Sequence, residues 1–157
     1  MTLEERLGEA LRKRRWTLST VESCTAGGLA YRITAVSGAS TYFLGGLVAY
    51  DNRVKTAWAG VPEGVFVRHG AVSREAAAAM AAGGRLRFGT DLCLAITGIA
   101  GPGGGTIEKP VGTVFIAAST PTNARTERFS FEGDREQVRQ AAIHTALEMG
   151  LALLAVD

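Results

Sequence analysis

The sequence is short of the residues that mark special chemistry or a special compartment. It has 2 Cys and 2 His in 157 residues, and a disulfide framework or zinc site needs such residues clustered at ligand spacing. His69 and His144 stand apart from Cys24 and Cys93, and Cys93 falls inside the apolar run Leu92-Cys93-Leu94-Ala95-Ile96, where a thiol behaves as a small core residue. No metal site and no cofactor are expected. No apolar stretch is long enough to span a bilayer, and Met1-Thr2-Leu3-Glu4-Glu5-Arg6 is unlike a signal peptide. Strong charge of one sign is also missing. The 17 basic and 15 acidic side chains leave a formal +2, so no field selects nucleic acid or an anionic membrane, and no aromatic-basic pattern points to nucleic acid. The chain reads as one soluble, cytoplasmic domain over residues 1–157.

What is present is a core-forming composition with an excess of glycine. Hydrophobic residues are 46% and charged residues 20%, which suits a packed domain rather than a disordered one. Gly numbers 20 against 4 Pro, and glycine in quantity supplies tight turns and close backbone approach to ligands. Leu3, Leu7, Ala10 and Leu11 recur at helical spacing, so residues 2 to 14 predict an amphipathic helix ending in Arg12-Lys13-Arg14-Arg15. A β-branched strand at 16–21 leads into the small-residue turn 22–28 and a helix through Tyr31, Ile33 and Val36. Residues 41–50 predict a second strand, and Asn52 a cap for a short helix carrying Val54, Lys55, Ala57 and Trp58. His69 falls in a polar turn, Ser73 caps an Ala-rich helix, and 91–96 predict a strand buried on both faces. Strands at 112–118 and 126–131 pair around Pro121-Thr122-Asn123, and a helix runs from Asp134 to Leu154. The expected class is α/β: a single three-layer α/β/α domain with a mixed central sheet.

In such folds ligands sit beyond the carboxyl ends of the strands, and glycine-rich turns follow Val21 and Ile96. Neither has a nucleotide fingerprint: there is no G-x-G-x-x-G, and Glu108 rather than Gly precedes Lys109. A cradle of backbone N–H groups for an anion is open to both. Ser23 lies where a strand turns into a helix, so its hydroxyl stands beside unpaired amides, a nucleophile with an oxyanion hole. On spacing alone, Ser23 or Thr25 serves equally as a helix cap. Lys55 is the alternative to histidine as base. A place in the first turn of its helix, beside Arg53, disfavours the ammonium, and burial lowers its pKa further. Tyr50 sits close by in sequence. Spacing alone makes Tyr50 half-core and Lys55 solvated.

Six segments then resemble the CinA C-terminal domain family: Glu22-Ser23-Cys24-Thr25-Ala26-Gly27-Gly28, Tyr42-Phe43-Leu44-Gly45-Gly46, Tyr50-Asp51-Asn52-Arg53-Val54-Lys55, Arg68-His69-Gly70-Ala71-Val72-Ser73, Thr97-Gly98-Ile99-Ala100-Gly101-Pro102-Gly103-Gly104, and Lys109-Pro110-Val111-Gly112-Thr113-Val114. The resemblance implies a nicotinamide mononucleotide amidase that uses neither metal nor organic cofactor. It implies Ser23 as nucleophile in a Ser-x-Thr motif, with Lys55 as base and Tyr50 beside it. Thr25, Gly27 and Gly28 in the first turn, Thr97, Gly98 and Gly101 in the second, and Arg139 on the last helix then bind substrate, and Arg135 matches a second helix-opening arginine. A small nucleotide is the expected partner, and self-association into a homo-oligomer is implied as well. Two positions depart from the family pattern: Ala26 stands where Gly is usual, and Asp51 where Ser is common. A silent module that binds a nucleotide in the same pocket is the competing expectation.

Overall fold

The computed structural model describes residues 1–157. It contains six helices, α1 (Leu3–Arg14), α2 (Gly28–Thr34), α3 (Asn52–Ala59), α4 (Glu63–His69), α5 (Arg74–Phe88) and α6 (Arg135–Val156), with a 3-10 turn at Ala39–Thr41. The five strands are β1 (Leu18–Glu22), β2 (Phe43–Val48), β3 (Leu92–Gly98), β4 (Thr113–Ser119) and β5 (Ala124–Ser130). They form one sheet in the order β2-β1-β3-β4-β5. β2, β1 and β3 run parallel, while β4 and β5 are antiparallel additions. The expected mixed sheet between helical layers is therefore the observed architecture.

Side-chain alternation along the strands builds two separate cores. Leu92, Leu94 and Ile96 of β3 with Val114, Ile116 and Ala118 of β4 join Leu7, Leu11, Leu147 and Leu153 under α1 and α6. Cys93, Ala95, Phe115 and Ala117 face the other way, onto Ala77, Met80 and Ala81 of α5. Much of that second layer is alanine, so α5 lies close to the sheet. A side chain at Gly84 would collide with Val21 and Cys93. No helix is long and apolar enough to cross a membrane.

Local chemistry sets the helix starts. Thr2 with Glu5, and Asp134 with Gln137, form reciprocal capping boxes, and Ser73 caps α5 as expected. Three expectations need correction. Asp51, not Asn52, caps α3, because its carboxylate accepts from the Arg53 amide. His69 ends helix α4, which Pro62 opens, rather than lying in a turn; α4 has no fully buried residue, so no apolar stripe advertised it. The second strand is shorter than expected, because 39–41 form a 3-10 turn and pairing stops at Val48.

Candidate active site

The parallel strands β1, β2 and β3 all end at the same edge of the sheet. β1 is followed by α2, which packs against α6, whereas α5, leading into β3, packs on the opposite face. A crevice opens where the chain diverges in this way. There lies a cavity of about 290 Å³, lined by Ser23 and Cys24 after β1, Tyr50, Asn52 and Lys55 around the start of α3, and Thr97 to Gly101 at the end of β3 and just beyond it. Ala71, Val72, Gly103, Gly104 and Arg135 complete the wall. A larger depression of about 880 Å³ lies between α1 and α6, but its polar side chains are Arg6, Lys13, Arg14 and Glu148, with no nucleophile among them.

Lys55 is the unusual group. It is only 1% exposed, whereas Tyr50 and Trp58 are 59% and 66% exposed. This is the reverse of what spacing alone implies, a solvated lysine and a half-core tyrosine. Lys55 and Ala59, four residues apart, share the buried face of α3. The Lys55 ammonium donates one hydrogen bond, to the Tyr50 carbonyl at 3.1 Å. Burial pushes its pKa below the ordinary 10.5, against an opposing pull chiefly from the Asp51 carboxylate. Asp51 is turned outward, paired with Arg53 at 3.0 Å, and that partner with its backbone bond holds its carboxyl below the usual range.

Ser23 is 9% exposed. Its amide is anchored to the Ile96 carbonyl at 3.0 Å, whereas those of Cys24, Thr25 and Gly27 donate to no other backbone group. The turn reaches α2 through Ala26 at φ 48 and Gly27 at φ 93, two successive left-handed residues. Gly meets that demand freely, while Ala26 does so at about 1–2 kcal/mol. Burial drives the neighbouring Cys24 thiol up to about 11, so it stays protonated.

The remaining expected residues divide. Gly98 and Gly101 line the cavity, as does Thr97, whose hydroxyl is committed to the Ala71 carbonyl at 2.8 Å. Thr25 is fully buried and donates its hydroxyl to Glu22 at 2.7 Å. Gly27 and Gly28 are outside the lining, Gly28 facing Ile143 and Gly27 facing Val48. Arg139 reaches the Thr25 carbonyl at 3.3 Å from behind the turn. Arg135 spans the mouth, donating to the Gly101 carbonyl at 2.7 Å and to the Tyr50 hydroxyl at 3.2 Å. Gly103 and Gly104, of the same glycine-rich turn, line the cavity too, and Asn52 and Ala100 join from outside the expected set; the expected role of Asn52 is that of the cap. His69 pairs loosely with Glu75 and His144 with Glu148, both outside the lining. No three His, Cys, Asp or Glu side chains converge as metal ligands would.

Residues 1–154 match the CinA C-terminal domain. The chain belongs to this family. A CinA-like protein of Desulfotalea psychrophila is 50% identical over 148 residues, covering 94% of this chain and 36% of that protein. One from Myxococcus xanthus is 53% identical over 142 residues, covering 90% and 34%. The chain thus spans about a third of the length of these relatives. The crystal structure of the competence/damage inducible protein CihA from Agrobacterium tumefaciens superposes with a TM-score of 0.94 at 38% identity, covering 96% of this chain and 93% of that one. A CinA superfamily protein from Klebsiella pneumoniae gives 0.94 at 34% identity, covering 99% and 97%. The crevice described above is thus a feature of a CinA C-terminal domain.

Proposed function

We propose that this CinA C-terminal domain hydrolyses the carboxamide of nicotinamide mononucleotide with Ser23 as nucleophile and Lys55 as base. The observation that carries the reading is a lysine 1% exposed, with a depressed pKa and one hydrogen bond, in the same cavity as Ser23. A lysine that gives up its proton readily can accept one from a serine hydroxyl. Ser23 Oγ attacks the carboxamide carbon as its proton passes to Lys55. The Cys24 and Thr25 amides, free of backbone acceptors, receive the developing oxyanion. Collapse breaks the C–N bond, and the proton on Lys55 leaves with ammonia. Water, deprotonated by Lys55, then attacks the acyl-serine; the acyl C–Oγ bond breaks, Ser23 Oγ takes that proton back from Lys55, and nicotinic acid mononucleotide leaves. Tyr50, steadied by Arg135, orders the Lys55 side of the cavity. The amides of Ala100, Gly101, Gly103 and Gly104, with Arg135, suit the phosphate end. Fixed N–H groups in a glycine loop favour a tetrahedral anion.

Ammonia release from purified protein with nicotinamide mononucleotide tests this, with Ser23→Ala as the control. Release that falls at least about a thousandfold in Ser23→Ala is expected, the scale of losing a catalytic nucleophile. Equal release by both proteins rejects Ser23. A folded wild type that gains thermal stability with the nucleotide yet releases no ammonia is a binding module instead.

A further inference from the structure

Glu22, the last residue of β1, is a carboxylate only 1% exposed that the chemistry above does not use. Its hydrogen bonds come from the segment that follows it. The Thr25 hydroxyl donates to Oε1 at 2.7 Å, the Leu29 amide to Oε1 at 2.8 Å and the Ala30 amide to Oε2 at 3.0 Å. A buried carboxylate persists only where such charge-assisted bonds satisfy it. The position of those bonds is informative. The first-turn amides of a helix are ordinarily capped by a Ser or Thr hydroxyl just before it, and both Ser23 and Thr25 stand before α2. Glu22 occupies the Leu29 and Ala30 amides and also takes the Thr25 hydroxyl. The turn between passes through left-handed Ala26 and Gly27, a shape that surrounding bonds must enforce.

We propose that Glu22 is a positioning residue: by capping α2 in place of a hydroxyl, it keeps Ser23 Oγ free and holds the Cys24 and Thr25 amides in place for the oxyanion. This rests on Ser23 being the nucleophile of the amidase reading. Glu22→Gln retains the shape of the side chain, but turns an NH2 toward one of the amide donors and leaves that N–H unpaired. A neighbouring hydroxyl is then drawn into capping, and the turn shifts.

The test is the rate at which a small fluorophosphonate labels Ser23, followed by intact mass across a range of pH. Wild type, Glu22→Gln and Thr25→Val are compared, with Ser23→Ala as the blank. The expected result for Glu22→Gln is a rate constant lower by about 10- to 100-fold, the cost of a small misplacement. The fraction finally labelled stays complete, and the pH midpoint stays at the wild-type value. Labelling at the wild-type rate overturns the proposal. So does a smaller labelled fraction at an unchanged rate constant, which is the mark of a merely structural role, or a displaced pH midpoint, the mark of a group that titrates in the reaction. Should Glu22→Gln not fold, Thr25→Val removes one of the three bonds, and a severalfold slower rate constant supports the proposal where an unchanged one rejects it. A wild type that is not labelled rejects Ser23 as nucleophile and the proposal with it. A wild type that is labelled but releases no ammonia leaves the role of Glu22 standing and removes only nicotinamide mononucleotide as substrate.

Discussion

Lys55 sits under opposing electrostatic influences that a single substitution can separate. Burial disfavours its ammonium, while the Asp51 carboxylate favours it. Asp51→Asn retains a side-chain oxygen to cap α3 but removes the charge, so the Lys55 pKa falls further. A reaction that needs the neutral amine then gains rate from a lower pH. The expected outcome is an ascending limb of kcat against pH that moves toward acid in Asp51→Asn, measured by ammonia release; a limb that stays put, or moves toward base, excludes Lys55 as the titrating base. The stability linkage has a definite sign as well. The folded-state pKa lies below the ordinary 10.5, so between the two values the unfolded chain binds more protons and stability rises with pH. That contribution is lost as pH falls through the folded value. At this scale the sequence supplies the candidate residues but not their burial. A lysine inside with a tryptophan outside inverts the hydropathy of α3, and local rules fail most often at functional sites. Ala26 was legible as a difficulty: the turn does require positive φ there.

Packing between elements depends on small residues at close approaches. Gly83 of α5 lies against α3, and a Cβ there would run into the Ala59 carbonyl oxygen, a backbone atom with no rotamer to yield. Gly83→Ala is therefore expected to destabilise by roughly 1–3 kcal/mol through overpacking, despite the gain in helix propensity of about 1 kcal/mol. Urea denaturation reads this as a lower midpoint at unchanged slope; equal or greater stability would show that α3 and α5 can separate without penalty. The long helices were legible from different signals: α1 and α6 from their apolar positions, α5 from its Ser73 cap and the Ala-rich run behind it. α4 was not, since seven residues with no fully buried side chain leave no stripe to read. The hairpin of β4 and β5 was legible from two strand patterns separated by a Pro-containing turn.

Across the whole molecule, Arg135 connects segments far apart in the chain. From the first turn of α6 it holds the loop after β3 through the Gly101 carbonyl and the segment after β2 through the Tyr50 hydroxyl. Two arginines at that helix start oppose the dipole, and in the fold both turn back toward the glycine turns. Arg135→Ala is expected to raise KM for the mononucleotide about tenfold or more, the worth of one charge-assisted contact. KM for the corresponding nucleoside, which lacks the phosphate, should change less. Equal losses for both would assign Arg135 to holding the walls rather than to the anion.

The order of the strands and of the helices other than α4, and the Ser73 cap of α5, follow from the sequence alone, because period and propensity are local properties. So does the set of reactive residue types, and the similarity of their spacing to the CinA C-terminal domain. Which of them meet was decided by tertiary structure. The parallel arrangement of β1, β2 and β3 brings Ser23, Tyr50 and Thr97 to one edge, although they are separated by tens of residues. Burial of Lys55, the occupation of α2 by Glu22 and the return of Arg135 over the cavity depend on contacts among distant segments. No local pattern encodes such contacts, since each exists only once the sheet has brought its partners together.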